Sequence, residues 1–174
     1  MNRIITLLTI FGLIGWLEAS FSNSQIKEAA QKCCTPNRYE CCMDMIKFGT
    51  PIKCGYERDL KIPALVYNCM QQELFAQEPE KRMNLDDSVC CTVFGQDLND
   101  PNRRCESICK TTMQSPSLDA ATKLQKIKDC TLSENVLYQC FTKCQMLRRQ
   151  DIKIEVLHFN EYCNTTYLQK RPIH

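Results

Sequence analysis

Fourteen cysteines dominate the reactive side chains of this chain: Cys33, Cys34, Cys41, Cys42, Cys54, Cys69, Cys90, Cys91, Cys105, Cys109, Cys130, Cys140, Cys144 and Cys163. Thiols can crosslink a chain, hold a metal or attack a substrate. An even set, none of it before residue 33, reads as seven disulfides with no leftover thiol, formed in an oxidising compartment. Adjacent cysteines, at 33/34, 41/42 and 90/91, rarely bond each other because the small ring strains both the disulfide and the peptide. Each pair therefore reaches for two partners, and on a helix its side chains point about 100° apart, toward two neighbouring elements. Cys105 with Cys109, and Cys140 with Cys144, lie four apart on one helix face, where each pair is expected to receive two bridges from one neighbouring helix. Which cysteine meets which stays open.

The same two C-x3-C units have the ligand number for zinc. An oxidising compartment and an even count favour bridges instead, and His158 and His174 are the only histidines, so neither metal nor cofactor is expected. Two histidines also leave little for general acid–base catalysis. No G-x-S-x-G, H-E-x-x-H or phosphate-cradling glycine loop is present. Secreted phospholipase A2 carries adjacent cysteines too, but its calcium-loop glycines and Cys-Cys-x-x-His-Asp element are missing. Glu155 and Glu161 flank His158 and come closest to a catalytic set, although a solvated face explains them better. No enzyme is expected. The net charge of +2 gives no reason to expect nucleic acid or an anionic membrane as partner.

The first residues address the chain. Arg3 precedes an apolar run over 4–17 that Glu18 ends, with small residues at Ala19, Ser20 and Ser22. That is the pattern of a signal peptide over residues 1–20, cleaved between 19 and 23, and the run is too short to cross a hydrocarbon layer of ~30 Å as a helix. A secreted mature protein without membrane insertion is the expectation. Asn164-Thr165-Thr166 is the only N-glycosylation sequon, at the head of a polar tail over 164–174. Dibasic pairs stand at Lys81-Arg82, Arg103-Arg104, Arg148-Arg149 and Lys170-Arg171, and charged surface is their ordinary meaning.

The elements that must position these cysteines read as helices. Five glycines are few for an all-β secreted domain. Ile26, Ala29, Ala30, Cys33 and Cys34 fall at helical intervals, as do Tyr39, Cys42, Met45 and Ile46 after Pro36-Asn37. A third helix is expected over 63–75, a fourth over 118–130 with Ser117 as N-cap, and a fifth from Thr131 or Ser133 through Cys144. Helices this short are marginal alone, and crosslinks supply what length does not. Residues 76–87 are polar without strong periodicity and read as a linker or long loop between two halves. Around it, 33–75 and 88–144 look like related halves, because Cys41-Cys42 with Cys54 and Cys69 echoes Cys90-Cys91 with Cys105, Cys109 and Cys130. Ile152, Ile154 and Val156 alternate as a strand would.

The progression Cys90-Cys91, Cys105-x3-Cys109, Cys130 and Cys140-Phe141, with the Cys41-Cys42 half as its partner, resembles the DB module, a secreted cysteine-rich domain common in nematodes. The resemblance covers roughly residues 33–144 and implies a domain without known biochemical activity. The interval from Cys91 to Cys105 is longer than that family's, and no second cysteine follows soon after Cys54. The spacing CC-x6-CC-x11-C, followed by CC-x13-C, is also similar to the albumin-type double loops of extracellular matrix protein 1, which implies a helical, disulfide-looped binding scaffold. Neither resemblance carries functional residues over.

The residues together predict a small all-α, disulfide-rich domain over 21–163 built from two related halves. Its expected role is that of a secreted, non-enzymatic ligand or binding protein for an extracellular or cell-surface protein. A structural matrix component and a protease inhibitor are the alternatives.

Overall fold

The computed structural model describes residues 21–56, 62–131 and 136–163. The signal segment, the expected start of the fifth helix at Ser133, the Asn164 sequon and its tail lie outside them. Every regular element among the described residues is helical.

The first half holds three helices. In α1 (Asn23–Cys33) the Ser22 hydroxyl accepts the Gln25 N–H while the Gln25 side chain accepts the Ser22 N–H, a reciprocal cap that fixes where the helix starts. A 3-10 turn over Pro36–Arg38 leads into α2 (Tyr39–Phe48), and α3 spans Ile62–Leu74. Both α2 and α3 pack on α1, burying Ile26, Ala29, Ala30, Met45, Ile46, Val66, Met70, Leu74 and Phe75 in one core. Helix α2 stops at Gly49, whose left-handed φ of 60° costs a residue without Cβ little. A Cβ there would also meet Leu118 at 3.0 Å. Gly49→Ala is therefore expected to lose about 1 kcal/mol or more, read as a lower denaturation midpoint with unchanged slope.

The second half holds α4 (Arg104–Met113), α5 (Ala120–Asp129), α6 (Val136–Arg148) and the single turn α7 (Phe159–Tyr162), arranged around a 3-10 helix over Leu85–Gln96. Phe94, Met113, Ile127, Phe141 and Leu157 are at the centre of this second core. The 3-10 helix is long for its kind. With three residues per turn, Asp87, Cys90 and Val93 stand in one column and Cys91 and Phe94 in the next, and these five are its buried residues. An α-helix would swing Val93 away from that face.

Several expectations are corrected. The cap of α5 is Asp119, whose carboxylate accepts the Thr122 N–H at 2.6 Å; Ser117 sits in a turn closed by Leu118 N–H to the Ser115 carbonyl, so the chain is not yet helical there. Residues 76–87 are more than a linker, because Met83 is buried in the second core and the 3-10 helix starts at Leu85. The alternation at 152–156 does not produce a strand: Ile154 and Leu157 are buried while Ile152 and Val156 face solvent, a spacing of three in an irregular segment. The C-x3-C pairs do not share a partner helix either. Cys105 bonds Cys130 and Cys109 bonds Cys91, while Cys140 bonds Cys163 and Cys144 bonds Cys90.

In the first half the bridges are Cys33–Cys69, Cys34–Cys42 and Cys41–Cys54. Numbering the six cysteines in order, these are 1–6, 2–4 and 3–5. Cys90–Cys144, Cys91–Cys109 and Cys105–Cys130 follow the same 1–6, 2–4, 3–5 order once Cys140–Cys163 is set aside. Six cysteines can pair in about fifteen ways, and any of the four bridges could be the one set aside, so agreement by chance is up to roughly four in fifteen. In both halves the 1–6 bridge joins the first element to a 13-residue helix, α3 or α6, and the 2–4 bridge joins it to the next α-helix, α2 or α4. The register matches Cys33-Cys34, not Cys41-Cys42, to Cys90-Cys91.

Candidate binding face at the seam between the halves

All seven bridges stay within one half or the other, three between residues 33 and 69 and four between 90 and 163. The halves are held to each other by noncovalent contacts, and the centre of that seam is polar. From α3, the Tyr67 hydroxyl donates to the Met83 carbonyl at 2.8 Å and Gln71 donates to the Pro116 carbonyl while accepting the Met83 N–H at 2.9 Å. From α5, Lys123 donates to the Tyr67 hydroxyl and, at 3.2 Å, to the Met113 carbonyl, with its Nζ 4.7 Å from the Tyr67 ring centroid. Both Lys123 and Tyr67 are 0% exposed.

A fully buried lysine without a carboxylate in hydrogen-bond contact is unusual. Burial lowers the Lys123 ammonium from its ordinary range to about 7, against a smaller opposing pull from Asp119. Burial likewise holds the Tyr67 phenol well above its ordinary range, with the Asp87 charge adding to the effect. Burial thus biases both groups toward their neutral forms, since a charge there is costly. Tyr67→Phe leaves the Met83 carbonyl and the Lys123 amine short of a partner in a dry seam. The expected cost is about 1–3 kcal/mol, read from the shift of the denaturant midpoint.

Beside this cluster the seam opens into a cleft of about 410 Å³. Phe21 and Ile26 line it from α1 and its entry, Ile46, Lys47, Phe48 and Gly49 from the end of α2, and Ser117, Leu118, Asp119, Thr122 and Lys126 from α5 and its approach. A second cleft of about 360 Å³, within the first half, is crossed by Lys32, whose ammonium pairs with Glu28 at 3.0 Å and Glu73 at 2.7 Å.

The remaining sequence candidates lie apart from the seam cleft. His158, Glu155 and Glu161 are exposed; Glu155 pairs with Lys153 at 3.6 Å, and the His158 carbonyl accepts the N–H groups of Glu161 and Tyr162. Cys105, Cys109, Cys140 and Cys144 are all in disulfides, which leaves them no thiolate for zinc. Lys81 pairs with Glu78 and Arg82 donates to the Phe75 carbonyl at 3.2 Å. Arg103 pairs with the buried Glu106, and Arg148 with the buried Asp87 at 3.3 Å. Lys123, Tyr67 and the cleft residues escape sequence reasoning. On paper Lys123 is one of four lysines and aspartates along a surface helix, and nothing local says that α3 covers it.

Two helical units, each knitted by its own bridges and joined through a polar seam, define a disulfide-rich all-α protein. The family model described as Caenorhabditis elegans Her-1 matches residues 22–167, and the chain belongs to that family. It is 58% identical to the protein her-1 of C. elegans over 169 residues, 97% of each chain. The crystal structure of C. elegans HER-1 superimposes with a TM-score of 0.77 at 62% identity, covering 82% of this chain and 100% of that one. The match places the chain in a nematode protein family rich in disulfides; neither the DB module nor the albumin-type double loops are named by it. No helix among the described residues is long and apolar enough to cross a membrane.

Proposed function

We propose that this protein is a secreted, non-enzymatic ligand that binds an extracellular or cell-surface protein through a surface held rigid by its disulfides. The observation that carries this is the pairing of all fourteen cysteines, because a crosslink set this dense persists only in an oxidising compartment. The signal segment 1–20 and a glycan at Asn164 belong to the same proposal, as does descent of 33–75 and 88–144 from one duplicated unit, supported by their shared bridge order. Rigidity favours binding over chemistry, since a surface fixed before contact loses little conformational entropy on association.

The test uses the native protein, fluorescently labelled and titrated onto cells of the producing organism. Saturable, displaceable binding is expected, and His158→Ala should bind as tightly as wild type. Deposition that never saturates and resists salt would mark a structural matrix component instead. Loss of function in a folded, secreted His158→Ala protein would overturn the non-enzymatic reading.

A further inference from the structure

We infer that the seam cleft is a docking site for a segment of a partner protein that carries a carboxylate beside an aromatic or leucine side chain. This rests on the binding role proposed above and names the chemistry of the partner. Phe21, Ile26, Ile46 and Leu118 give the lining an apolar part beside the polar Asn23 and Thr122. Two cations, Lys47 and Lys126, face it from opposite halves, both exposed and neither in an ion pair among the described residues. The acid that lines the cleft is Asp119, and its carboxylate is engaged in capping α5. The cleft therefore offers a net positive rim around a partly apolar recess, which is complementary to an acidic peptide with an apolar side chain.

Phe48 strengthens the case. It is 66% exposed at the rim, with the Lys47 ammonium 5.5 Å from its ring centroid, so one large ring and one cation stand together in solvent. Exposed aromatics of this kind are typical anchors of protein interfaces. A recess between two halves does not suit a membrane, which needs protruding apolar groups and many cations. An occupant would touch both units where no disulfide joins them and would clamp them.

The test selects a phage-displayed library of random dodecapeptides on the immobilised, disulfide-intact protein. Enriched peptides are expected to carry Asp or Glu within a few residues of Trp, Phe or Leu. Synthetic copies should bind at least tenfold more weakly to Lys47→Glu/Lys126→Glu and to Phe48→Ala, and should raise the thermal midpoint of wild type but not of the double variant. All three positions are exposed, so the variants should melt as wild type does. No enrichment, a consensus without acids, or equal affinity for the double variant overturns the proposal. So does a dimer that Phe48→Ala dissolves, which assigns the cleft to a second copy of the chain, or binding to anionic vesicles that the double variant abolishes. Saturable cell binding that survives in Lys47→Glu/Lys126→Glu would reject this site while leaving the ligand role intact.

Discussion

Changing Cys90 and Cys144 together to Ala is expected to lower the unfolding free energy by about 3–4 kcal/mol, one of the two largest losses beside that of Cys33–Cys69. Loop-closure entropy sets the scale: the residues are 54 apart, against 8 for Cys34 and Cys42, for which the same relation gives about 2.5 kcal/mol. The inner bridges Cys91–Cys109 and Cys105–Cys130 shorten the effective loop and pull the larger figure down. The loss is large beside a typical net stability of about 5–15 kcal/mol, and α6 is too short to persist untethered. Because no bridge joins the halves, the damage should stay local. Hydrogen exchange is expected to accelerate across 90–163 and to change little across 23–56. Cys90→Ser alone is worse, since the orphaned Cys144 thiol is free to pair wrongly, and its expected outcome is loss of secreted protein. Uniform acceleration of exchange in both halves would contradict the separate crosslinking of the two units.

The second large effect is at Lys123. Its ammonium has a pKa of about 7 in the folded protein and an ordinary value of 10.5 when the chain unfolds. Between those values the unfolded chain binds the extra proton, so stability rises with pH across the window and falls away as pH drops from 10.5 toward 7. At about 1.36 kcal/mol per unit, the span amounts to roughly 5 kcal/mol. Below pH 7 the lysine is charged in both states and its burial costs most. Tyr67 sets the upper edge of a clean measurement, because the unfolded phenol ionises near pH 10 while the buried one does not, which lowers stability above that pH. Lys123→Met keeps the volume and the apolar stem and removes the charge. It is expected to flatten the rise in stability between pH 7 and 9 and to stabilise the protein most near pH 6, less about 1 kcal/mol for the lost hydrogen bond to the Met113 carbonyl. Denaturant melts at pH 6, 7.5 and 9 decide it; a Lys123→Met protein with the wild-type slope would mean that the amine is charged or solvated throughout.

The helical class was legible because helix chemistry is local. Ile26, Ala29 and Ala30 announce the buried face of α1, and Tyr39, Cys42, Met45 and Ile46 that of α2, from spacing alone. Caps are local as well, yet Ser117 misled where Asp119 succeeded, because both are good caps and only the 115–118 turn decides where the helix begins. The 3-10 helix over Leu85–Gln96 is not among the helices that spacing predicts, and only Val93 among its buried residues separates its period of three from an α-helical one. Cysteine count is a property of composition, and the residues by themselves determined it.

Pairing is different. A disulfide joins residues that folding brings to within a few ångströms, and sequence spacing says nothing of that distance. The shared 1–6, 2–4, 3–5 order, and the register it gives the two halves, therefore belong to the tertiary structure alone. So does the seam. In the chain Lys123 is one more lysine on an amphipathic helix and Phe48 one more aromatic, and the fold buries the first beneath Tyr67 while leaving the second in solvent. Burial and exposure at such positions are set by what packs against them from distant parts of the chain, and local residue preferences do not encode those neighbours.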